Sequence, residues 1–379
     1  MKIAILGSRG IPVNYGGFET IAEVLSTGLV MRGHDVTIYC SKAHTDSYEP
    51  FYHGVRRIFL PSIKGSPIEK PLFTLLSLLH ASFKTYDVIL MLGISVSALC
   101  FIPRIFKKKV VINVDGLEWQ RKKWGPVASL YLRLSERMAG ITTDAVITDS
   151  EFIRGYYREK YQIDPYYIPY GADVSDSVPD DSLRKYGLES GGYILQSCRI
   201  EPENNPDLVI EAYLMSGVTM PLVILGDAPE GSRYKQRLLR MAGDRVRFLG
   251  FIFGPDYRQI VAHAGLYIHA HEVGGTNPSL LEAMAVGQAP LYLDVPFNRE
   301  VAGDAGFPFQ KDPLSLSHLI KTLSERIEVV RERSVEAKRI IRERYSWDSI
   351  IREYERVLGE GIKGVGIRGE GVCRGSKIE

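Results

Sequence analysis

The chain has 379 residues, of which 45% are hydrophobic and 24% charged, with a formal net charge of +2. This length exceeds one ordinary domain and points to about two, and the composition is that of a globular protein. A balance so near neutral argues against a nucleic-acid binder, whose domain would be far more basic, so any basic surface has to be local. Cys40, Cys100, Cys198 and Cys373 are scattered and form no C-x-x-C pair. That argues against a disulfide framework or a zinc site and for a reducing compartment.

In chain order, Met1–Gly7 is too short an apolar run for a signal peptide and reads as a first strand, Ile3–Leu6. A glycine-rich loop follows, then a helix over Phe18–Met31 with Ile21, Val24, Leu25 and Leu29 on one face. Gly33 is a stop, and Val36–Cys40 is the next strand. Pro71–Phe83 reads as a helix whose Leu72, Leu75, Leu76, Leu79 and Phe83 face the core. The apolar stretch Val88–Pro103 falls short of the roughly 20 residues a membrane-spanning helix needs. It is read as a buried strand, Val88–Leu92, and a short buried helix. Val110–Val114 and Ala145–Thr148 complete this set. The strands Tyr193–Ser197, Leu222–Leu225, Val246–Phe248, Leu266–His269 and Ala289–Leu293 then form a second set.

Continuous apolar strands alternating with helices imply parallel sheets covered on both faces. The expected fold class is therefore α/β, with two doubly wound, Rossmann-like domains. The hinge is expected at Pro169–Asp173, which gives an N-terminal domain over 1–170 and a C-terminal domain over 171–345. An amphipathic helix over 346–358, opened by Ser346, follows, and the glycine-rich 359–379 reads as a disordered tail.

Two loops carry chemistry. Gly7-Ser8-Arg9-Gly10 follows the first strand, and Gly16-Gly17 precedes the first helix, where glycine lets backbone approach a ligand and free amides face an anion. The spacing is not G-x-G-x-x-G, and the second strand ends Tyr39-Cys40-Ser41-Lys42 without a ribose-binding acid, so a nicotinamide dinucleotide is discounted. Gly16 and Gly17 remain phosphate-loop or acceptor-loop candidates. The second loop is His271 through Ala285, running from a strand into a helix that begins near Pro278. Gly274, Gly275, Thr276 and Asn277 form a cradle for phosphate or sugar hydroxyls, and Glu282, one turn inside an apolar helix, is placed to accept from a ribose diol.

The run Gly274–Ala285 with Phe297-Asn298-Arg299-Glu300-Val301 resembles retaining GT-B glycosyltransferases of family GT4. Gly7–Pro12, Tyr15–Glu19, Asp115-Gly116-Leu117-Glu118-Trp119, Arg121, Lys123-Trp124 and Ile168–Asp173 are similar to its bacterial rhamnosyltransferase branch. The resemblance spans nearly the whole chain except the tail, with two departures. The wider family's E-x7-E motif would place a glutamate at 274, where this chain has Gly274. Its Arg-x4-Lys diphosphate clamp keeps Arg199 but has Asn204 at the lysine position.

The resemblance implies a GT-B fold with an interdomain cleft, the helix 346–358 joining the N-terminal domain, and transfer of a sugar with retention. It implies rhamnose from dTDP-rhamnose passed to a saccharide or lipid-linked saccharide acceptor in polysaccharide biosynthesis. No Asp-x-Asp pair occurs, so no metal and no cofactor beyond the nucleotide-sugar co-substrate is expected. Arg199 and the helix N-terminus would stabilise the leaving diphosphate. Asp115 is the candidate for contacting donor sugar or acceptor hydroxyl, and Asn204 joins the donor-binding set; a turn aspartate before Gly116 is the competing reading. The basic clusters Lys107-Lys108-Lys109 and Arg121-Lys122-Lys123-Trp124 would attract anionic headgroups in peripheral membrane contact, at the inner face of the cell membrane, of an otherwise cytoplasmic protein. Three alternatives stay open: a UDP- or GDP-hexose transferase, a nucleotide-sugar epimerase drawing on His34, His263, His269 or His271, and a non-catalytic sugar-nucleotide binder.

Overall fold

In a computed structural model, residues 1–12, 17–45, 47–65, 68–121 and 124–360 are described. Gly16, Lys122, Lys123 and the tail from 361 onward lie outside the described residues. Among the described residues the first sheet has eight strands: β1 (Lys2–Leu6), β2 (Asp35–Ser41), β3 (Phe51–Tyr52), β4 (Val55–Leu60), β5 (Val88–Leu92), β6 (Lys109–Asn113), β7 (Ala145–Thr148) and β8 (Tyr166–Tyr167). Their order is β3-β4-β2-β1-β5-β6-β7-β8, parallel except for the β3–β4 hairpin. A second sheet holds six strands, β9 (Ile194–Ser197), β10 (Leu222–Leu225), β11 (Val246–Gly250), β12 (Leu266–His269), β13 (Pro290–Leu293) and β14 (Phe307–Phe309), in the parallel order β11-β10-β9-β12-β13-β14.

Helices cover both sheets. With the first go α1 (Gly17–Met31), α2 (Glu69–Ser82), α3 (Phe101–Ile105), α4 (Pro126–Thr142) and α5 (Glu151–Tyr161). With the second go α6 (Pro206–Ser216), α7 (Arg233–Met241), α8 (Gly254–Ala262), α9 (Pro278–Ala285), α10 (Pro296–Ala302), α11 (Pro313–Glu325) and α12 (Ile327–Arg344); α13 (Trp347–Gly359) follows. The central strands are buried on both faces, β5 at every position, as parallel sheets under helices require.

Two sequence expectations need correction. The strand β4 was not anticipated because Arg56-Arg57 interrupts its apolar run. Arg57 is nonetheless buried, donating from Nη1 to the Ile11 carbonyl at 3.2 Å and lying 5.2 Å from the Phe59 ring centre. The second concerns α2, which buries Phe73, Thr74, Ser77, Leu78 and Ala81, while Leu79 and Phe83 of the expected core stripe are exposed.

α13 returns to the first sheet. Ile351 fills the space that a side chain on Gly28 of α1 would need, and Asn113 donates to the Tyr354 hydroxyl at 2.6 Å. Lys109 donates to the Val357 carbonyl at 2.6 Å and that of Leu358 at 3.2 Å, a cation at a helix C-terminus, where the backbone dipole favours it. This removes Lys109 from the expected basic surface. The two crossings between the sheets lie side by side: Gly171 packs on Trp347, and the Ala172 amide donates to the Tyr345 carbonyl at 2.8 Å.

Candidate active site between the two sheets

Each sheet reverses its strand order once, beside β1 in the first and beside β9 in the second. Crevices at the carboxyl ends of parallel strands open at such reversals, because neighbouring loops there run to opposite faces of the sheet. The two reversals confront one another. A Cβ on Gly17, at the start of α1, would lie 3.4 Å from Pro278 at the start of α9. Gly116, after β6, lies so close to Gly274 that a Cβ there would come within 2.7 Å of the Gly274 carbonyl carbon. Only glycine permits that approach.

Arg199 follows β9 and Glu282 sits in α9 after β12, so adjacent strands carry both. Arg199 is partly exposed and lies 3.4 Å from Glu201. Glu201 in turn lies 3.9 Å from Arg121 of the first unit, which pairs with Glu118 at 2.6 Å. Arg121, expected among surface cations for a lipid headgroup, is instead a mostly buried cleft residue. Its guanidinium is held protonated by Glu118, Asp115, Glu201 and Glu203 against the opposing effect of burial. Burial pushes the Glu282 carboxyl up to about 7, with Tyr257 and Arg258 pulling it back only in part.

Asp115 follows β6 with a left-handed φ of 57°. This is an unusual conformation for a residue with a side chain, and such strain gathers at functional sites. Its amide donates to Asn113 Oδ1 at 2.9 Å, and the Tyr170 hydroxyl donates to its carboxylate at 3.4 Å. Beside it lies Asp149, fully buried at the end of β7, which the sequence analysis did not select. Its side-chain oxygens are buried, and the neighbour that bears on its carboxyl most strongly is Asp115. Burial first, then the charge of Asp115, holds Asp149 well above the usual carboxylate range. Burial likewise raises Asp115, opposed by Arg121 and Lys70. Lys70 of α2 is a further unanticipated cleft residue: its ammonium sits 4.6 Å from the Phe18 ring centre, and burial lowers its pKa despite Glu19, Glu118 and Asp115 nearby.

The remaining expected donor residues have structural partners. Asn204 is buried and donates to the Arg199 carbonyl at 2.8 Å, so it holds the arginine's loop rather than presenting its amide to the cleft. Asn277 caps α9, its Oδ1 accepting from the Ser279 amide at 3.1 Å. Thr276 is buried with its hydroxyl donated to the Asp149 carbonyl, and a Cβ on Gly275 would lie 2.0 Å from Asp149 Oδ1. Gly274, Gly275 and Thr276 thus pack against the first unit in this structure rather than forming an open cradle. Gly17 stands at the cleft. His269 and His271 stack at 4.3 Å, and burial lowers both, His269 to about 3. Neutral, stacked rings without carboxylate partners do not form an acid–base pair. Among the described residues no group of three or more His, Cys, Asp or Glu gathers as a metal site.

Residues 180–344 match the family model described as "Glycosyl transferases group 1", and residues 1–173 match "Domain of unknown function (DUF1972)". The chain is 28% identical over 234 residues to phosphatidyl-myo-inositol mannosyltransferase of Mycobacterium tuberculosis, covering 57% of this chain and 61% of that protein. The match therefore spans less than two thirds of that relative's length. Among solved structures, sucrose-phosphate synthase from Thermosynechococcus elongatus superposes with a TM-score of 0.78 at 17% identity, over 94% of this chain and 98% of that one. Anabaena HepE in complex with UDP and glucose superposes with a TM-score of 0.74 at 17% identity, over 94% and 98%. The fold is GT-B: two facing parallel-sheet α/β units with a cleft between their strand ends.

Proposed function

We propose that this chain is a glycosyltransferase whose nucleotide-diphosphate sugar binds against the second sheet, over 171–345. The acceptor enters from the first unit, residues 1–170 together with the helix over 346–358. The observation that carries the reading is the placement of Arg199 and Glu282 on adjacent strands at the sheet reversal, facing Asp115 across the cleft. Glu282 accepts from the ribose hydroxyls. Arg199 and the N-terminus of α9 meet the diphosphate.

During transfer, negative charge grows on the leaving diphosphate as the glycosidic bond breaks, and fixed cations and backbone amides aimed there lower the barrier. Arg199 supplies that charge without a metal. Asp115 contacts the sugar or the attacking acceptor hydroxyl, and its left-handed backbone with the Tyr170 contact fixes its direction. Retention follows if the acceptor attacks from the face the diphosphate leaves, with the departing phosphate taking the proton. Rhamnose from dTDP-rhamnose, passed to a saccharide or lipid-linked acceptor, is the donor suggested by the stretches 7–12, 15–19, 115–119 and 168–173. A hexose donor is the second reading, favoured by the similarity to a protein named as a mannosyltransferase.

The test is a panel of dTDP, UDP, GDP, ADP and NAD at equal concentration, read as thermal stabilisation, because a ligand that binds only the folded chain raises its melting midpoint. Selective stabilisation by dTDP supports rhamnosyl transfer, and a preference for UDP or GDP shifts the donor to a hexose. Stabilisation by NAD alone refutes sugar transfer. EDTA should leave turnover unchanged; a loss restored by magnesium or manganese refutes the role given to Arg199.

A further inference from the structure

α4 is inverted relative to the usual surface helix. Its sheet side buries Leu132 with Ser135, Glu136, Ala139 and Gly140, while Val127, Leu130, Tyr131, Leu134 and Ile141 lie outward at helical spacing. All five are at least 48% exposed, Val127 at 83%. A surface helix in water carries polar residues on that stripe.

The apolar surface continues beyond α4. The Arg104 guanidinium of α3 donates to the Ile141 carbonyl at 3.4 Å, and the Tyr131 hydroxyl donates to Ser95 just before α3, so the two helices are joined. Phe101 and Ile105 of α3 are exposed, and Phe106 meets the exposed Phe83 at the end of α2 edge-on, with ring centres 5.0 Å apart. A connected apolar face of this kind on one side of a water-exposed unit marks a docking surface.

Its charges identify the occupant. Over 101–108 and 126–142 the exposed charges are Arg104, Lys107, Arg133 and Arg137, all basic, with Arg104 paired to buried Asp144 at 3.1 Å. The acid in these stretches, Glu136, is buried and accepts from Trp119, Tyr156 and Tyr161. Four exposed cations gather here in a chain whose net charge is +2. Apolar side chains flanked by cations, with no exposed acid on α3 or α4, match an anionic lipid surface: the side chains enter the headgroup boundary and the cations meet the phosphates. A second copy of the chain would bring like charges together. Among the described residues no helix is long and apolar enough to cross a membrane, so the contact is made from one side.

We propose that the face formed by α3, α4 and the end of α2 docks on anionic lipid bilayers. It differs from the basic clusters expected from sequence in excluding Lys109 and Arg121, which are committed to α13 and to the cleft. α4 begins just after Trp124, whose indole donates to Glu118 at 3.1 Å beside Arg121. The docked face therefore borders the acceptor side of the cleft. The inference stands apart from the sugar-transfer reading, since lipid binding is read without turnover.

The test is co-sedimentation of the full chain with vesicles of phosphatidylcholine and phosphatidylglycerol at about 2:1, against phosphatidylcholine alone. Wild type should bind the anionic vesicles selectively and be released by salt. Lys107→Gln/Arg137→Gln should weaken binding about 25-fold, at about fivefold per cation. Leu130→Glu/Leu134→Glu should weaken it about tenfold or more by removing inserted apolar surface. Both pairs are exposed, so melting midpoints should match wild type. If the glutamate pair melts early, the glutamine pair, which removes no buried contact, decides. Failure of wild type to bind anionic vesicles overturns the proposal. So does binding that the glutamine pair leaves unchanged, or a dimer in sedimentation equilibrium that the glutamate pair dissociates.

Discussion

Glu282→Gln separates function from stability at one position. A carboxyl moved by burial from its ordinary 4.5 to about 7 holds its proton about 3 kcal/mol more tightly in the folded chain than in the unfolded one. The sign follows from which state ionises first. Below pH 4.5 both states are protonated and Glu282 costs nothing. Between 4.5 and about 7 the unfolded chain loses its proton first, so folding stability falls as pH rises; above about 7 the full penalty of about 3 kcal/mol is present. Glutamine has nothing to ionise and keeps an oxygen for the Tyr257 hydroxyl, which bonds to Glu282 in the wild type. Melting midpoints followed from pH 4.5 to 8 should therefore coincide at the acid end. They should diverge above it, with Glu282→Gln several degrees higher at pH 8. In the same samples a nucleoside diphosphate should stabilise wild type and lose most of its effect on the variant. A variant less stable than wild type at pH 8, or a difference that does not change with pH, would falsify the burial argument. Equal ligand stabilisation of the two would return Glu282 to a packing role.

Arg199→Ala should weaken nucleoside diphosphate binding by about 2–5 kcal/mol, measured calorimetrically; wild-type affinity would remove Arg199 from the diphosphate site. Gly275→Ala places a methyl 2.0 Å from Asp149 Oδ1, so the seam cannot close as it stands. Transfer should fall sharply while nucleotide binding by the second unit persists, and full turnover would show that closure is not needed. Glu300→Ala removes an acceptor from Ser150 at 2.8 Å and from the Glu151 amide at 3.0 Å at the start of α5. Ser150 remains the side-chain cap, so losing this further acceptor costs about 1 kcal/mol, seen as a lower denaturation midpoint, and an unchanged midpoint would refute the supporting role.

The fold was legible where apolar strands ran unbroken. Val88–Leu92, Leu222–Leu225 and Leu266–His269 are strands at the expected residues, because a strand buried on both faces is made mostly of apolar residues and so announces itself. It was hidden where tertiary contacts override local pattern. Arg57 lies buried in β4 on a carbonyl and an aromatic ring, neither of them close in sequence. Phe51–Tyr52, Tyr166–Tyr167 and Phe307–Phe309 are too short for periodicity to register. α2 presents apolar residues on two sides, and only packing decides which is buried. Among the candidate residues, Glu282 was singled out by the helix start it sits in, and Arg199 only through the resemblance to a diphosphate clamp. Asp149 was not: Thr148-Asp149-Ser150 resembles any strand end before a capped helix, and nothing local shows that Asp115 and Gly275 converge on it. Lys70 carries no local mark either, since its charge partners Glu19, Glu118 and Asp115 lie far along the chain.

The seam explains why the glycines of the second loop carry so much of the arrangement. Asp149 touches Asp115 within its own unit and Gly275 and Thr276 across the cleft, and Glu300 caps α5 two residues further on from the opposite unit. The buried carboxyl pair, the loop over 274–276 and an interunit acceptor for α5 therefore all meet one short stretch of chain, Asp149–Phe152. Because a Cβ at 275 would lie 2.0 Å from Asp149 Oδ1, glycine there is what lets the second unit close over the carboxyl pair.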